Sequence, residues 1–290
     1  LDRAGGDVLT IDVAPTEQAF GAVVRGINFA APVDVERIKA VRAAWLDHHA
    51  LVFPEQPREN EDLVRFAEYF GPIGEDPFFA PIEGHDRIAA IRRKADEFAP
   101  LFAEVWHSDW SFMQVPPAVT CLYGIDIPAE GGDTFFADQH AAWDAMPDDM
   151  RGRMAKLVAV HSAKRAYAKD GRYAEDTYKG SMDIRPSDSA LDTQTHPLIR
   201  PHPETVRLGV FGGSYVQGFD GVEADGAEEL KDELREWLVR PEFVYRHKWE
   251  KGMLVLWDNR CVLQRATGGY EGYDRLLHRL TIADDASYYS

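Results

Sequence analysis

Apolar residues in this chain come in short runs that glycine, proline or charge cuts off. Leu51, Val52 and Phe53 stop at Pro54, and residues 118–125 run into Pro128 and the pair Gly131-Gly132. Residues 206–211, 252–258 and 276–283 repeat the pattern. Runs of this length suit strands and are too short for a helical bundle. Residues 8–13 alternate, with Leu9, Ile11 and Val13 apolar and Thr10 and Asp12 polar, which predicts a half-buried strand. Helical spacing is limited to 34–50 (Val35, Ile38, Val41, Trp45), 60–70 (Leu63, Phe66, Phe70), a segment capped by Asp138 and running to about Met146, and 224–239 (Leu230, Leu234, Trp237, Leu238). Many short strands with a few amphipathic helices predict a mainly β fold, a sandwich or barrel core with helices packed outside it.

The 290 residues carry 32 basic and 49 acidic side chains, a net charge of -17. So acidic a chain repels nucleic acid and anionic membrane surfaces. It can hold a small anion only through a local cluster of arginines. No apolar stretch reaches the roughly 18 residues of a membrane span, and the first residues lack the apolar core of a signal peptide. Cys121 and Cys261 are far apart and without ligand spacing, so they read as buried thiols of a reducing cytoplasm. A homo-oligomer, dimer or tetramer, is expected. No repeat or linker divides residues 1–290, which predicts one domain.

Two segments lack periodicity. Residues 72–104 are rich in proline, glycine and acids, and read as a long, lid-like loop with a strand near 88–91. Residues 164–196 are polar and read as a mobile insertion or a solvated surface excursion.

The chemistry concentrates in Trp106-His107-Ser108-Asp109. Residues i and i+2 of a strand face the same way, so an imidazole and a carboxylate would converge on one point. These are two of the three ligands of the facial triad that binds non-haem Fe(II). Three further features accompany them: Thr134 after the double-glycine turn, Trp257-Asp258-Asn259-Arg260 at the end of an apolar run, and Arg275 and Arg279, four apart and on one face of the last strand.

With these motifs in order, together with His202-Pro203-Glu204-Thr205 and the turn Phe70-Gly71-Pro72, the chain resembles the taurine dioxygenase and phenoxyacetate dioxygenase (TauD/TfdA) family of Fe(II)- and 2-oxoglutarate-dependent oxygenases. The resemblance spans about 180 residues from the first motif to the last. It implies a double-stranded β-helix, or jelly roll, with a metal in its mouth. His107 and Asp109 would ligate Fe(II), Thr134 and Arg275 would hold the distal carboxylate of 2-oxoglutarate, and Arg279 would face the acid head of the substrate or brace the cosubstrate. An arginine fork with a threonine hydroxyl suits a carboxylate. The activity implied is hydroxylation of a small anionic substrate with O2, releasing succinate and CO2.

The chain departs from the family at the third ligand, where Gln264 stands in place of histidine and no histidine occurs in 260–268. A neutral amide oxygen is a poorer donor to Fe(II) than imidazole. Either Gln264 weakens iron binding and lowers activity, or it coordinates weakly and leaves a working site. His278 matches a separate histidine of the family and is not a ligand candidate. The taurine enzymes carry a sulfonate-contacting histidine where this chain has Asp76, and an asparagine where it has Ala103. An aspartate repels a sulfonate, so taurine is disfavoured. Phe78, Phe79, Trp110 and Phe112 would suit an aryl or longer alkyl acid, or serve as core. Two other classes stay open: a non-catalytic relative that binds small acids, and a cupin-like metalloprotein with no need of Thr134 or Arg275.

Overall fold

The strands of the largest sheet are apolar on both faces because both faces are covered. In a computed structural model describing residues 11–56, 59–174 and 176–288, this sheet runs in the order Asp12–Pro15, Ala22–Arg25, Ala50–Phe53, Leu254–Asp258, Val119–Asp126, Arg275–Ile282, His85–Arg93, Pro81–Ile82. All its pairings are antiparallel except that of Ala22–Arg25 with Ala50–Phe53. Alternation along each strand sorts the residues. Leu51, Phe53, Leu254, Leu256 and Leu280 pack outward on the helices Val35–His48 and Asn60–Glu68, through Val41, Trp45, Leu63 and Phe66. Ala50, Val52, Leu122, Val255, Trp257 and Leu277 pack inward.

The inward residues meet a three-stranded sheet, Val244–His247, Thr134–Asp138 and Val262–Ala266, through Phe136, Tyr245 and Val262. Another three-stranded sheet, Val216–Phe219, Val158–Ser162 and Thr193–Pro197, packs with Ala224–Leu238 around Trp143, Met150, Leu234 and Leu238. The architecture is a jelly roll, the double-stranded β-helix expected from the sequence. Among the described residues no helix is long and apolar enough to cross a membrane.

The helices fall where their spacing predicts. Asp34 caps the first by accepting from the Arg37 N–H, and Asp138 caps Gln139–Asp144 by accepting from His140 and Ala141. Val35, however, sits in the exposed first turn and adds nothing to the buried face. The strand predicted at 8–13 is observed at Asp12–Pro15, and Leu9 and Thr10 lie outside the described residues.

The two aperiodic segments are more ordered than their composition predicts. Residues 72–104 contain His85–Arg93, a full strand paired with Arg275–Ile282. The strand expected near 88–91 is there, with Ile88 and Ala89 buried, and its charged ends had obscured its full length. Residues 164–196 hold the helix Lys164–Tyr167 and the strand Thr193–Pro197. They bury Tyr167, Tyr173, Met182 and Ala190 against Phe78, Phe79, Trp110 and Tyr215. The apolar contacts are few and irregularly spaced, so no period marks them.

A buried polar cluster fixes the far side of the strand Leu254–Asp258. The guanidinium of Arg260 binds Asp258 at 2.8 Å and Glu204 at 2.9 Å, His202 Nε2 donates to Asp258 at 3.0 Å, and Arg42 reaches Glu204 at 2.8 Å. Two motifs of the sequence, His202-Pro203-Glu204-Thr205 and Trp257-Asp258-Asn259-Arg260, are thus halves of one ion-pair network. Burial would raise the Asp258 pKa, but Arg260 and His202 outweigh it and hold the carboxyl well below the usual range.

Phe136 is fully buried where the two sheets face each other, between Tyr245 and Trp257. Phe136→Ala is expected to lower the unfolding free energy by about 3–5 kcal/mol in urea titrations. A loss below about 1 kcal/mol would mean that the sheets do not meet through this ring.

Candidate functional site

His107 and Gln264 lie opposite each other in an isolated antiparallel bridge, with His107 N–H to Gln264 O at 3.0 Å and Gln264 N–H to His107 O at 2.7 Å. Directly opposed residues project their side chains together. The Gln264 amide nitrogen accordingly sits 3.3 Å from His107 Nε2 and 3.1 Å from Asp109 Oδ1. His107 Nε2 and Asp109 Oδ1 are themselves 3.3 Å apart. The sequence predicts His107 and Asp109 on one extended strand. Instead the strand pairing ends at His107, and Asp109 opens a turn whose next residue, Trp110, is left-handed (φ 49°). The turn, rather than strand alternation, swings the carboxylate back to the imidazole.

The tautomer of His107 follows from its other nitrogen. Nδ1 lies 2.7 Å from the Val105 carbonyl, so it carries the proton and Nε2 presents a lone pair. Two acceptors, this lone pair and the Asp109 carboxylate, therefore face each other in a buried place. Such a pair calls for a cation or a hydrogen-bond donor between them. The three donor groups form a near-equilateral triangle with edges of 3.1 to 3.3 Å. Ligands at bond lengths of about 2.0–2.2 Å and right angles are about 3 Å apart, so the triangle fits one face of an octahedral divalent ion. Gln264 turns its N–H side to the acid. A cation would require the amide oxygen there instead, reached by a half-turn of the amide.

Behind the triangle, Thr120 Oγ1 donates to Asp109 Oδ2 at 2.6 Å and accepts from Asn259 Nδ2 at 2.9 Å, while Ser108 Oγ donates to the Asn259 carbonyl at 2.7 Å. Ser108 and Asn259 were read from sequence only as members of their motifs, with no role, and Thr120 was not singled out. A polar Thr120 inside the apolar run 118–125 was the available signal. Burial would raise the Asp109 pKa, but Arg279 first, and the Thr120 hydroxyl with it, hold it well below the usual carboxylate range.

Thr134 and Arg275 line the same cavity as the triangle, together with Leu122, Trp257 and Tyr270. Thr134 Oγ1 accepts from Trp249 Nε1 at 2.9 Å. Arg275 donates one Nη2 bond to Gly132 O at 3.0 Å, and its buried Nε has no partner. The double-glycine turn makes this approach possible. Both glycines have φ near +70°, a Cβ on Gly132 would lie 2.9 Å from Arg275 Nε, and one on Gly131 would strike the Gly269 carbonyl at 2.2 Å. A buried guanidinium with unused donors is suited to a carboxylate.

Arg279 shares the face of Arg275, as alternation predicts, but is already paired. Its Nη1 donates to Asp76, and its Nη2 lies 3.3 Å from Asp109 Oδ2. Trp110 Nε1 also donates to Asp76, at 2.7 Å. Asp76, read from sequence as a group that repels a sulfonate, is a partner of the arginine expected to meet the substrate. Phe79 and Trp110 line the cavity with Ala103, whereas Phe78 and Phe112 pack behind them. His278 binds Asn60 at 2.8 Å on the other face of its strand. Cys121 and Cys261 are buried thiols, and burial pushes both pKa values up.

The family profile described as taurine catabolism dioxygenase TauD, TfdA family, matches residues 12–281. The chain is 32% identical to the (S)-phenoxypropionate/alpha-ketoglutarate-dioxygenase of Sphingobium herbicidovorans over 285 residues, which covers 94% of this chain and 95% of that protein. It is 30% identical to the alpha-ketoglutarate-dependent 2,4-dichlorophenoxyacetate dioxygenase of Cupriavidus pinatubonensis over 294 residues, 96% of this chain and 99% of that one. A crystal structure of a taurine dioxygenase from Burkholderia xenovorans superposes with a TM-score of 0.78 at 28% identity, covering 95% of this chain and 90% of the other.

His247 is buried near this arginine end. Burial, aided by Arg275, lowers its pKa from 6.5 to about 3. The unfolded chain therefore takes up a proton below about pH 6.5 that the folded chain refuses, and stability falls as pH drops towards 3. The contribution approaches about 1.4 kcal/mol per pH unit. Urea titrations between pH 7 and pH 4 should give a shallower decline for His247→Gln than for the wild type. Equal slopes would refute the assignment.

Proposed function

The chain belongs to the TauD, TfdA family of dioxygenases, enzymes dependent on Fe(II) and 2-oxoglutarate, and on that premise we propose that it hydroxylates a small organic acid with an aryl or longer alkyl body. The observation that carries the reading is the triangle of His107, Asp109 and Gln264 in one cavity with the under-used donors of Arg275. In this reading His107 Nε2, Asp109 Oδ1 and the amide oxygen of Gln264 hold the iron, and Arg275 with Thr134 takes the distal carboxylate of 2-oxoglutarate. Iron bound with that cosubstrate supplies O2 chemistry, in which 2-oxoglutarate gives succinate and CO2 and a substrate C–H is hydroxylated.

The chain's own part is placement. The Val105 carbonyl keeps His107 in the tautomer that offers Nε2. Thr120 and Asn259 orient Asp109 from behind. Leu122 and Trp257 wall the cavity with apolar surface and keep water from the reacting carbon. Phe79, Trp110 and Ala103 leave an aromatic wall rather than a polar one for the body of the substrate. Relatives named for phenoxypropionate and 2,4-dichlorophenoxyacetate support an aryl body for the substrate.

Gln264 makes the metal site weaker than one with a third imidazole, since its amide is a poorer donor and already satisfies Asp109 through hydrogen. That hydrogen bond also favours a second reading, a metal-impaired relative that binds small acids without turnover. Anaerobic Fe(II) titration and succinate release from 2-oxoglutarate test both. Gln264→His is expected to raise iron affinity and succinate formation by about tenfold or more. No gain in either would remove Gln264 from the metal site. Arg275→Ala is expected to weaken 2-oxoglutarate binding by at least about 30-fold. Unchanged binding would favour a metalloprotein of other chemistry.

A further inference from the structure

We propose that Asp76 sets the charge a substrate can bring to this site, by occupying Arg279 from within the chain. The inference rests on the reading of the cavity as an Fe(II) and 2-oxoglutarate centre, and it names which acids that centre refuses. Arg279 is 4% exposed; its Nη1 donates to Asp76, and its Nη2 lies 3.3 Å from Asp109 Oδ2 without a hydrogen bond to it. Asp76 is held in turn by the Trp110 indole at 2.7 Å. The Trp110 and Phe79 rings flank the guanidinium at 4.8 and 5.5 Å. An anionic head group beside Arg279 would have to share the guanidinium with a carboxylate that already has two donors.

Charge counting leads to the same place. Asp76 and Asp109 offset Arg279 and Arg275, Arg93 and Glu97 of the same lining offset each other, and Arg92 is exposed to solvent. A divalent cation and a doubly charged 2-oxoglutarate offset each other. A substrate acid placed beside Arg279 would leave one negative charge uncompensated in a buried cavity, which is strongly unfavourable. With Asp76 uncharged, the same acid would be matched. Asp76 is therefore a specificity residue acting through Arg279. It excludes compact acids, whose anion must lie next to the oxidised carbon. It admits substrates that present an uncharged group there and carry any acid at the far end. Space for such an arm exists in a neighbouring cavity of about 830 Å3, which shares Phe102, Ala103, His107, Tyr167 and Tyr215 with the inner one.

The test uses protein loaded with Mn2+ and 2-oxoglutarate under nitrogen, titrated calorimetrically with taurine and phenoxyacetate as compact acids. Asp76→Asn should bind these acids at least about tenfold more tightly than the wild type, and Asp76→Glu, which restores the charge, should stay within about threefold of it. The affinity for 2-oxoglutarate should be unchanged throughout, because it depends on Arg275 and Thr134. Normal 2-oxoglutarate binding with no gain in Asp76→Asn overturns this inference alone. Failure of the wild type to bind 2-oxoglutarate overturns the reading of the site and this inference with it. A comparison in wild-type protein covers the case of a variant that does not fold: the uncharged amide of phenoxyacetate should bind at least about tenfold more tightly than the acid. Equal or tighter binding of the acid refutes the role of Asp76.

Discussion

Two acceptors, His107 Nε2 and Asp109 Oδ1, stand 3.3 Å apart in a buried cavity, and neither can donate to the other. In water such a pair would drift apart or hydrate. Here the backbone bridge to Gln264 fixes one side, and the Thr120 hydroxyl with Arg279 fixes the other. The repulsion is contained by the fold and becomes affinity for whatever positive or donating group sits between the two atoms. The amide N–H of Gln264 meets part of that demand, and a divalent ion would meet it more fully.

The fold can contain this strain because the elements that carry it are tied from outside. His107 hangs on the strand Val262–Ala266, which pairs with Thr134–Asp138, the strand of Phe136. Asp109 is tied through Thr120 and Asn259 to the two central strands of the large sheet, and Asn259 stands between Asp258 and Arg260, members of the buried ion-pair network. Removing one partner from such a network leaves a buried charge uncompensated. The motif around Asp258 thus supports the metal triangle without touching it, and a motif can be diagnostic of a chemistry it does not perform.

Much of this could be read from the residues. Alternation placed Arg275 and Arg279 on one face, the double glycine marked the turn before Thr134, and helical spacing located Trp45, Leu63 and Phe66. Contacts between distant segments could not be read. Asp76 and Arg279 are 203 positions apart, and an aspartate in an acidic loop carries no local sign of a buried ion pair. The strand read near 88–91 extends over His85–Arg93, and its full length stayed hidden because its partner, the last strand, supplies the burial that its own charged ends disguise. The aromatic packing of residues 164–196 was hidden likewise, since Tyr167 and Tyr173 find their neighbours in other segments.

The two arginines of the last strand separate what composition alone would merge. Both are buried and both border the cavity, and each keeps one nitrogen without a hydrogen bond, yet Arg279 lies against two carboxylates while Arg275 donates only to a backbone carbonyl. A guanidinium satisfied by carboxylates is part of the scaffold's electrostatics. One with unused donors is a binding group, because a buried charge without its counter-ion gains most from a ligand that supplies it. On that difference, in the proposed reading, a single incoming dianion would be steered to Arg275 and away from Arg279. The order of the two residues along one strand would then set which end of the proposed cosubstrate faces the triangle and which faces the Gly131-Gly132 turn.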